Sequence, residues 1–291
     1  MNPEHGRAGN LRGSLFMVAA MAGFAIEDMF LKSAARHMPV GEVITLFGLG
    51  GMLVFVLLAW RQNEPAIPAA MLSRPMLVRS GFEVTGRLFY ALAITLTPLS
   101  VASAILQATP LVVVAGAALL FGETVGLRRW LAILAGFAGV MLIIRPGLAG
   151  FDVLSLLTVV GLIGFAGRDL ATRAAPPALS TMQLGVAGFA MLSLAGLIIL
   201  GVNGDYRVPD ATGLGLTFCA TAVGVLAYAA LTVAMRTGEV SAVTPFRYTR
   251  LLFALILGAT IFDERPDALT LIGSAIVVAS GIYVLTQNRR A

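Results

Sequence analysis

The sequence predicts an all-α integral membrane protein with ten transmembrane helices in two inverted five-helix repeats around a central cavity. Three observations carry that prediction. Of 291 residues, 58% are hydrophobic and 12% charged, against roughly 25% charged in a soluble domain. Apolar runs of about 20 residues, each able to cross the hydrocarbon core, recur along nearly the whole chain. A shift of 141 residues also lays the second half of the chain on the first.

The spans fall at 13–35, 40–60, 76–96, 99–121, 129–146, 153–173, 180–201, 211–235, 240–262 and 267–286. The first follows Arg7 and Arg12 and contains Ala20-Met21-Ala22, which resembles a signal-peptidase site. Its apolar pattern runs on past that site and has a counterpart in the second half, so it is read as the first helix. The connections are mostly short and leave no soluble domain to carry a separate activity. Cys219, the single cysteine, lies in an apolar run and cannot form an intrachain disulfide.

Basic residues orient the spans, because they are retained on the cytoplasmic side. With the N-terminus inside, that side holds Arg7, Arg12, Arg61, Arg74, Arg79, Arg128, Arg129, Arg173, Arg236, Arg289 and Arg290. The other side holds only Arg36, Arg145, Arg207 and Arg265. An even number of spans brings the C-terminus back to the same face, so both termini are expected in the cytoplasm of a bacterial-type inner membrane. The basic balance then reflects topology and anionic lipid rather than nucleic acid.

In the 141-residue register, Gly23-Phe24-Ala25 falls on Gly164-Phe165-Ala166, Asp28 on Asp169, Lys32 on Arg173, Ser100 on Ser241 and Glu123 on Glu264. One added residue aligns the fifth and tenth spans, with Gly139 on Gly281. The repeats are expected at 1–147 and 148–291. Five spans per repeat is an odd number, so the second repeat enters the membrane from the opposite face, the arrangement that supports alternating access.

Ionisable residues inside spans are costly and face one another or water. Here they are Glu27, Asp28, Lys32, Glu83, Arg87, Arg168, Asp169, Arg247 and Arg250. Glu83, Arg87 and Tyr90 share a face of the third span by their spacing. Phe24 and Asp28 share one on the first, with Glu27 beside it, and Arg168 and Asp169 repeat that placement on the sixth. Tyr228 with Gly224 and Thr232 lines the eighth, and Arg247, Tyr248 and Arg250 the ninth. Such charges serve either as glue between helices or as solute contacts. Asp28 and Asp169 are the expected functional carboxylates, gating the halves or coupling to a proton. Arg87, Arg168, Arg247 and Arg250 suit a carboxylate or phosphate through forked hydrogen bonds. Phe24, Tyr90, Tyr228 and Tyr248 would enclose an organic body. Pro110 and Pro245 interrupt spans and should kink them.

His5 and His37 are the only histidines, and neither a zinc spacing, a Walker loop nor a nucleophile elbow is present. No enzyme activity, metal or cofactor is expected, and transport would run on a gradient or on the solute itself.

The Thr109-Pro110 run ending in Phe121-Gly122-Glu123, its echo Phe262-Asp263-Glu264, and Pro245-Phe-Arg-Tyr-Thr-Arg250 resemble the drug/metabolite transporter superfamily, specifically its EamA-type ten-helix exporters. The resemblance covers nearly the whole chain, and the pattern is similar to that of YddG-type aromatic amino-acid exporters without a motif specific to their substrate. It implies a basket-shaped bundle whose cavity is lined by helices one, three, four, six, eight and nine, the fourth offering Gln107 and Thr109. It implies a helix-end role for Glu123 and Glu264. The sequence departs from symmetry where Pro110 aligns with Leu251.

The expected function is export of amino acids, aromatic ones included, or related small metabolites. Alternatives are uptake or exchange of a nucleotide-like or sulfonium metabolite, cationic drug export, and a structural or receptor bundle that transports nothing. The expected partners are a small-molecule substrate and the lipid bilayer, with a proton as candidate coupling ion. Oligomeric state is left open.

Overall fold

The computed structural model describes residues 3–121, 126–145, 152–172, 179–237 and 244–287. The chain is an all-α membrane protein, and its helices follow the ten predicted spans. They are α1 (Pro3–Ala34), α2 (Val40–Arg61), α3 (Arg74–Leu96), α4 (Leu99–Leu106), α5 (Thr109–Phe121) and α6 (Leu127–Ile144) in the first half. In the second half follow α7 (Ser155–Thr172), α8 (Thr181–Asn203), α9 (Ala211–Thr237), α10 (Thr249–Ile261) and α11 (Ala268–Gln287). Among the described residues, five stretches are long and apolar enough to cross a bilayer alone: Leu11–Ala34, Val40–Arg61, Leu99–Leu120, Thr181–Asn203 and Ala211–Leu231. Helix α3 has the length, but Arg79, Glu83 and Arg87 interrupt its apolar run.

Two spans are not continuous helices. The fourth breaks between Leu106 and Thr109, because Pro110 has no N–H to give the preceding turn. Thr109 Oγ1 donates to the Leu106 carbonyl at 2.6 Å and so satisfies one backbone acceptor at the break. The ninth opens as a 3-10 turn, Thr244–Tyr248, which contains Pro245, before α10 begins. Helix α1 runs unbroken through residues 20–22, where Ala20 and Met21 are buried with Met17 and Ala234.

The chain forms two compact units, and each draws on both halves of the sequence. One comprises Glu27–Thr97 and Leu156–Val225. Its core is the α2–α8 pair, in which small residues let the backbones meet. A Cβ on Gly48 would stand 2.5 Å from the Ser193 amide nitrogen, and Gly51 and Gly185 lie beneath the rings of Phe189 and Phe55. Phe47 meets Phe189 edge-on at 5.5 Å. Helix α8 opens on a capping box: Gln183 N donates to Ser180 Oγ and Ser180 N to Gln183 Oε1. Gln183 Nε2 also donates to the Pro65 carbonyl at 2.9 Å, tying the α2–α3 connection to this end.

The other unit comprises Met1–Ile26, Pro98–Ser155 and Leu226–Ala291. Its core is the α6–α11 pair, where a Cβ on Gly273 would come 2.7 Å from the Gly139 carbonyl. Glu264 caps α4, accepting from Leu99 N at 2.7 Å, Ser100 N at 3.0 Å and Ser100 Oγ at 2.8 Å. Gly258 makes room for that carboxylate, since a Cβ there would stand 2.6 Å from Glu264 Oε2. The helix-end role expected for this motif is thus realised at Glu264; its echo at Glu123 lies outside the described residues. Both pairs, α2–α8 and α6–α11, join a helix to its own counterpart in the 141-residue register.

Candidate functional site

In the Glu27–Thr97/Leu156–Val225 unit, α3 and α7 cross where neither carries a side chain bulky enough to hold them apart. A Cβ on Gly164 would meet the Gly86 amide nitrogen at 2.4 Å, and one on Gly161 the Tyr90 backbone at 3.1 Å. That approach brings four residues of the predicted site into one ion cluster. Glu83, 1% exposed, is its centre. Arg87 Nε and Arg168 Nη1 both donate to Glu83 Oε1 at 3.2 Å. Arg79 Nη2 stands 3.2 Å from Glu83 Oε2. Arg168 turns its remaining donors to Asp169, Nε at 3.0 Å and Nη2 at 2.8 Å.

An aromatic floor continues the cluster. The guanidinium carbons of Arg168 and Arg87 lie 5.1 and 5.7 Å from the centroid of Phe165, within cation–π range. Tyr90 meets that ring edge-on at 5.8 Å, and its hydroxyl donates to Asp28 Oδ2 at 3.0 Å. Asp28 and Glu27 are both buried, and Glu27 Oε2 lies where Gly224 leaves space for it. Lys32 reaches the Thr97 carbonyl at 2.7 Å and caps the C-terminus of α3.

The remaining predicted residues lie in the other unit. The Arg250 guanidinium stacks over the Phe24 ring at 5.4 Å. Gln107 is buried at the α4–α5 break and approaches the Tyr248 carbonyl at 3.5 Å. Tyr248 is buried with its hydroxyl over Gly281, close enough that a Cβ there would overlap it. Arg247 and Tyr228 are half-buried.

Two members of the α3–α7 cluster were not among the predicted site residues. Arg79, counted from the sequence with the cytoplasmic arginines, is 7% exposed and paired to Glu83. The signal was its i, i+4 spacing to Glu83, which extends the Glu83/Arg87 stripe one turn back. Phe165 is the counterpart of Phe24 in the repeat and flanks Arg168. Among the described residues, no group of three or more His, Cys, Asp and Glu side chains could hold a metal ion.

Comparison with known proteins adds a family. The model of the EamA-like transporter family matches residues 11–145 and again 151–286. A riboflavin transporter of Rhizobium johnstonii is 25% identical over 96% of this chain and 92% of its own length. A pseudopaline exporter of Pseudomonas aeruginosa is 26% identical over 93% and 94%. An S-adenosylmethionine uptake transporter of Rickettsia bellii is 23% identical over 75% of each. A solved crystal structure superimposes with a TM-score of 0.65 at 19% identity, over 98% of this chain and 99% of the other, a likeness of fold.

Proposed function

Because the chain belongs to the EamA-like transporter family, and so is a membrane transporter of a small molecule rather than an enzyme, we propose that its cargo is amino acids, aromatic ones included, or related small metabolites. They leave across the inner membrane by alternating access, between repeats 1–147 and 148–291 inserted in opposite senses, with both termini cytoplasmic. The observation that carries this reading is the α3–α7 cluster. It places guanidinium groups around Glu83 and an aromatic face at Phe165, with the Asp28 carboxylate one residue away through Tyr90. Acid, base and ring together match the ammonium, carboxylate and side chain of an amino acid. Glu27, Asp28, Glu83, Arg87, Tyr90, Arg168 and Asp169 from that unit, and Phe24, Gln107, Tyr228, Arg247, Tyr248 and Arg250 from the other, are the proposed contacts.

The test is counterflow in liposomes. Radiolabelled aromatic amino acids should exchange through the wild type and lose at least tenfold in rate in Asp28→Asn and Arg87→Gln variants that elute as folded protein. Absence of flux for every amino acid tried would remove the reading. Riboflavin and S-adenosylmethionine, the solutes in two relatives' names, run as competitors, test the nucleotide-like and sulfonium alternatives. Proton coupling through Asp28 or Asp169 is the further part of the proposal. Flux that ignores an imposed pH gradient would remove that part alone.

A further inference from the structure

Arg87, Arg79 and Arg168 share Glu83, but they are not equally committed. Arg168 spends all three nitrogens on carboxylates, two on Asp169 and one on Glu83. Arg79 is buried to 7% exposure against Glu83 Oε2. The Arg87 side chain is as exposed as that of Arg168, 22% each, and both lie over Phe165, but among the described residues Arg87 gives Glu83 only its Nε. A guanidinium fixed at Nε and by a ring beneath it keeps its two Nη groups side by side, the geometry that receives two oxygens of one planar anion.

We infer that Arg87 is the residue that binds the carboxylate of the transported solute, and that Glu83 and Phe165 are positioning residues that aim its Nη pair. Arg79 and Arg168 are counter-ions of Glu83 and Asp169. The inference rests on the transport reading above and narrows it to solutes bearing a single carboxylate. Among the described residues, the three guanidiniums bond directly to only two carboxylates, Glu83 and Asp169, which leaves the Nη pair of Arg87 for one carboxylate of the solute. One turn along the same face of α3, the Tyr90 hydroxyl donates to Asp28 Oδ2, so an acidic acceptor already occupies the place a second acid of the solute would take.

Phenylglyoxal, which condenses with the Nη pair of accessible guanidiniums, tests this on the wild-type protein in nanodiscs, with peptide mapping by mass spectrometry. Arg87 should be modified at least fivefold faster than Arg79 and Arg168. Benzoate should slow its modification severalfold, while benzamide and phthalate leave it unchanged. Equal rates at the three arginines, no protection by benzoate, or equal protection by benzamide would each overturn the assignment. Labelling needs no transport, so a protein that moves no amino acid still reports on Arg87, and the two readings fail separately. In liposomes that do carry phenylalanine, Arg87→Lys keeps the charge and loses the fork. It should raise KM for phenylalanine about tenfold and leave phenylalaninamide unchanged, and an equal loss for both would again count against Arg87.

Discussion

The crossing of α7 on α3 and that of α1 on α9 are built from matching positions, yet they are furnished with opposite chemistry. Gly164 lies against Gly86 in one, and Gly23 against Ala227 in the other, the same pair moved by 141 residues. Next to each pair, Arg168 reaches Glu83, whereas Glu27 faces Gly224. Phe165 carries two guanidiniums and Tyr90; Phe24, like Leu231, packs against the cluster of Met17, Ala20, Met21 and Ala234, and carries Arg250. The duplicated feature is the close backbone approach, which depends on small residues. Charge at the crossing was free to diverge because it sits one turn away. The two crossings thus hold different side-chain chemistry on one backbone geometry.

The largest break in this comparison should come from Glu83→Gln. It leaves Arg79, Arg87 and Arg168 around a neutral amide, and loss of a buried ionic partner costs about 3–5 kcal/mol. Thermal unfolding in detergent should show it, and Gly224→Glu, which sets a second carboxylate beside Glu27, should destabilise comparably. Adding Glu27→Arg to Gly224→Glu rebuilds the α3–α7 pairing at the other crossing and should recover much of that loss.

Next come the glycines. Gly164→Ala drives a methyl to 2.4 Å from the Gly86 backbone, whereas Gly23→Ala meets the Ala227 Cβ at 2.7 Å and the Ala227 backbone no closer than 3.4 Å, a shallower overlap. Overpacking should cost about 1–3 kcal/mol, with Gly164 the worse of the two in the same unfolding measurement. Glu264→Ala, which uncaps α4, should cost about 1–2 kcal/mol.

The smallest effect separates two arginines near helix ends, Arg145 and Arg207. Arg145 bonds Asp267 and, more weakly, Thr270, while Arg207 gives its backbone N–H to Glu42 at 2.7 Å. The Arg145 hydrogen bond, helped by Thr270 N–H, holds the Asp267 carboxyl at about 2, below its ordinary 3.8. A depressed carboxyl stabilises the fold above its unfolded pKa and loses that contribution as pH falls through the folded one. The gap between wild type and Asp267→Asn should therefore be constant above about pH 4 and close by about pH 2. With Asp267 half exposed to solvent, the pair should shift the unfolding midpoint only slightly.

Much of this was legible in the chain. Apolar runs gave the spans, and matched Asp, Glu and Gly positions gave the repeat, because both depend on residue type alone. The stripe of Glu83, Arg87 and Tyr90 was readable from spacing, and the Ser180/Gln183 capping box carries a local signature of the same kind. What stayed hidden depends on tertiary approach. Arg79 looked like a flanking arginine because its i, i+4 spacing to Glu83 does not by itself say that the pair is buried. The interruption at Pro110 was readable from the residue itself; the approach of Gln107 to the Tyr248 carbonyl was not. The interleaving of both halves in each compact unit follows from which glycines meet, and no local pattern encodes that.

The cap on α4 fixes an order of events during biosynthesis. Leu99 and the carboxylate that caps it stand 165 residues apart. At about 5–20 residues per second, a ribosome needs roughly ten to thirty seconds to cover that distance. For that interval the newly inserted segment keeps bare amides at its leading end. A chain truncated before Glu264 would hold a fourth span with a frayed start, whatever the quality of its own sequence.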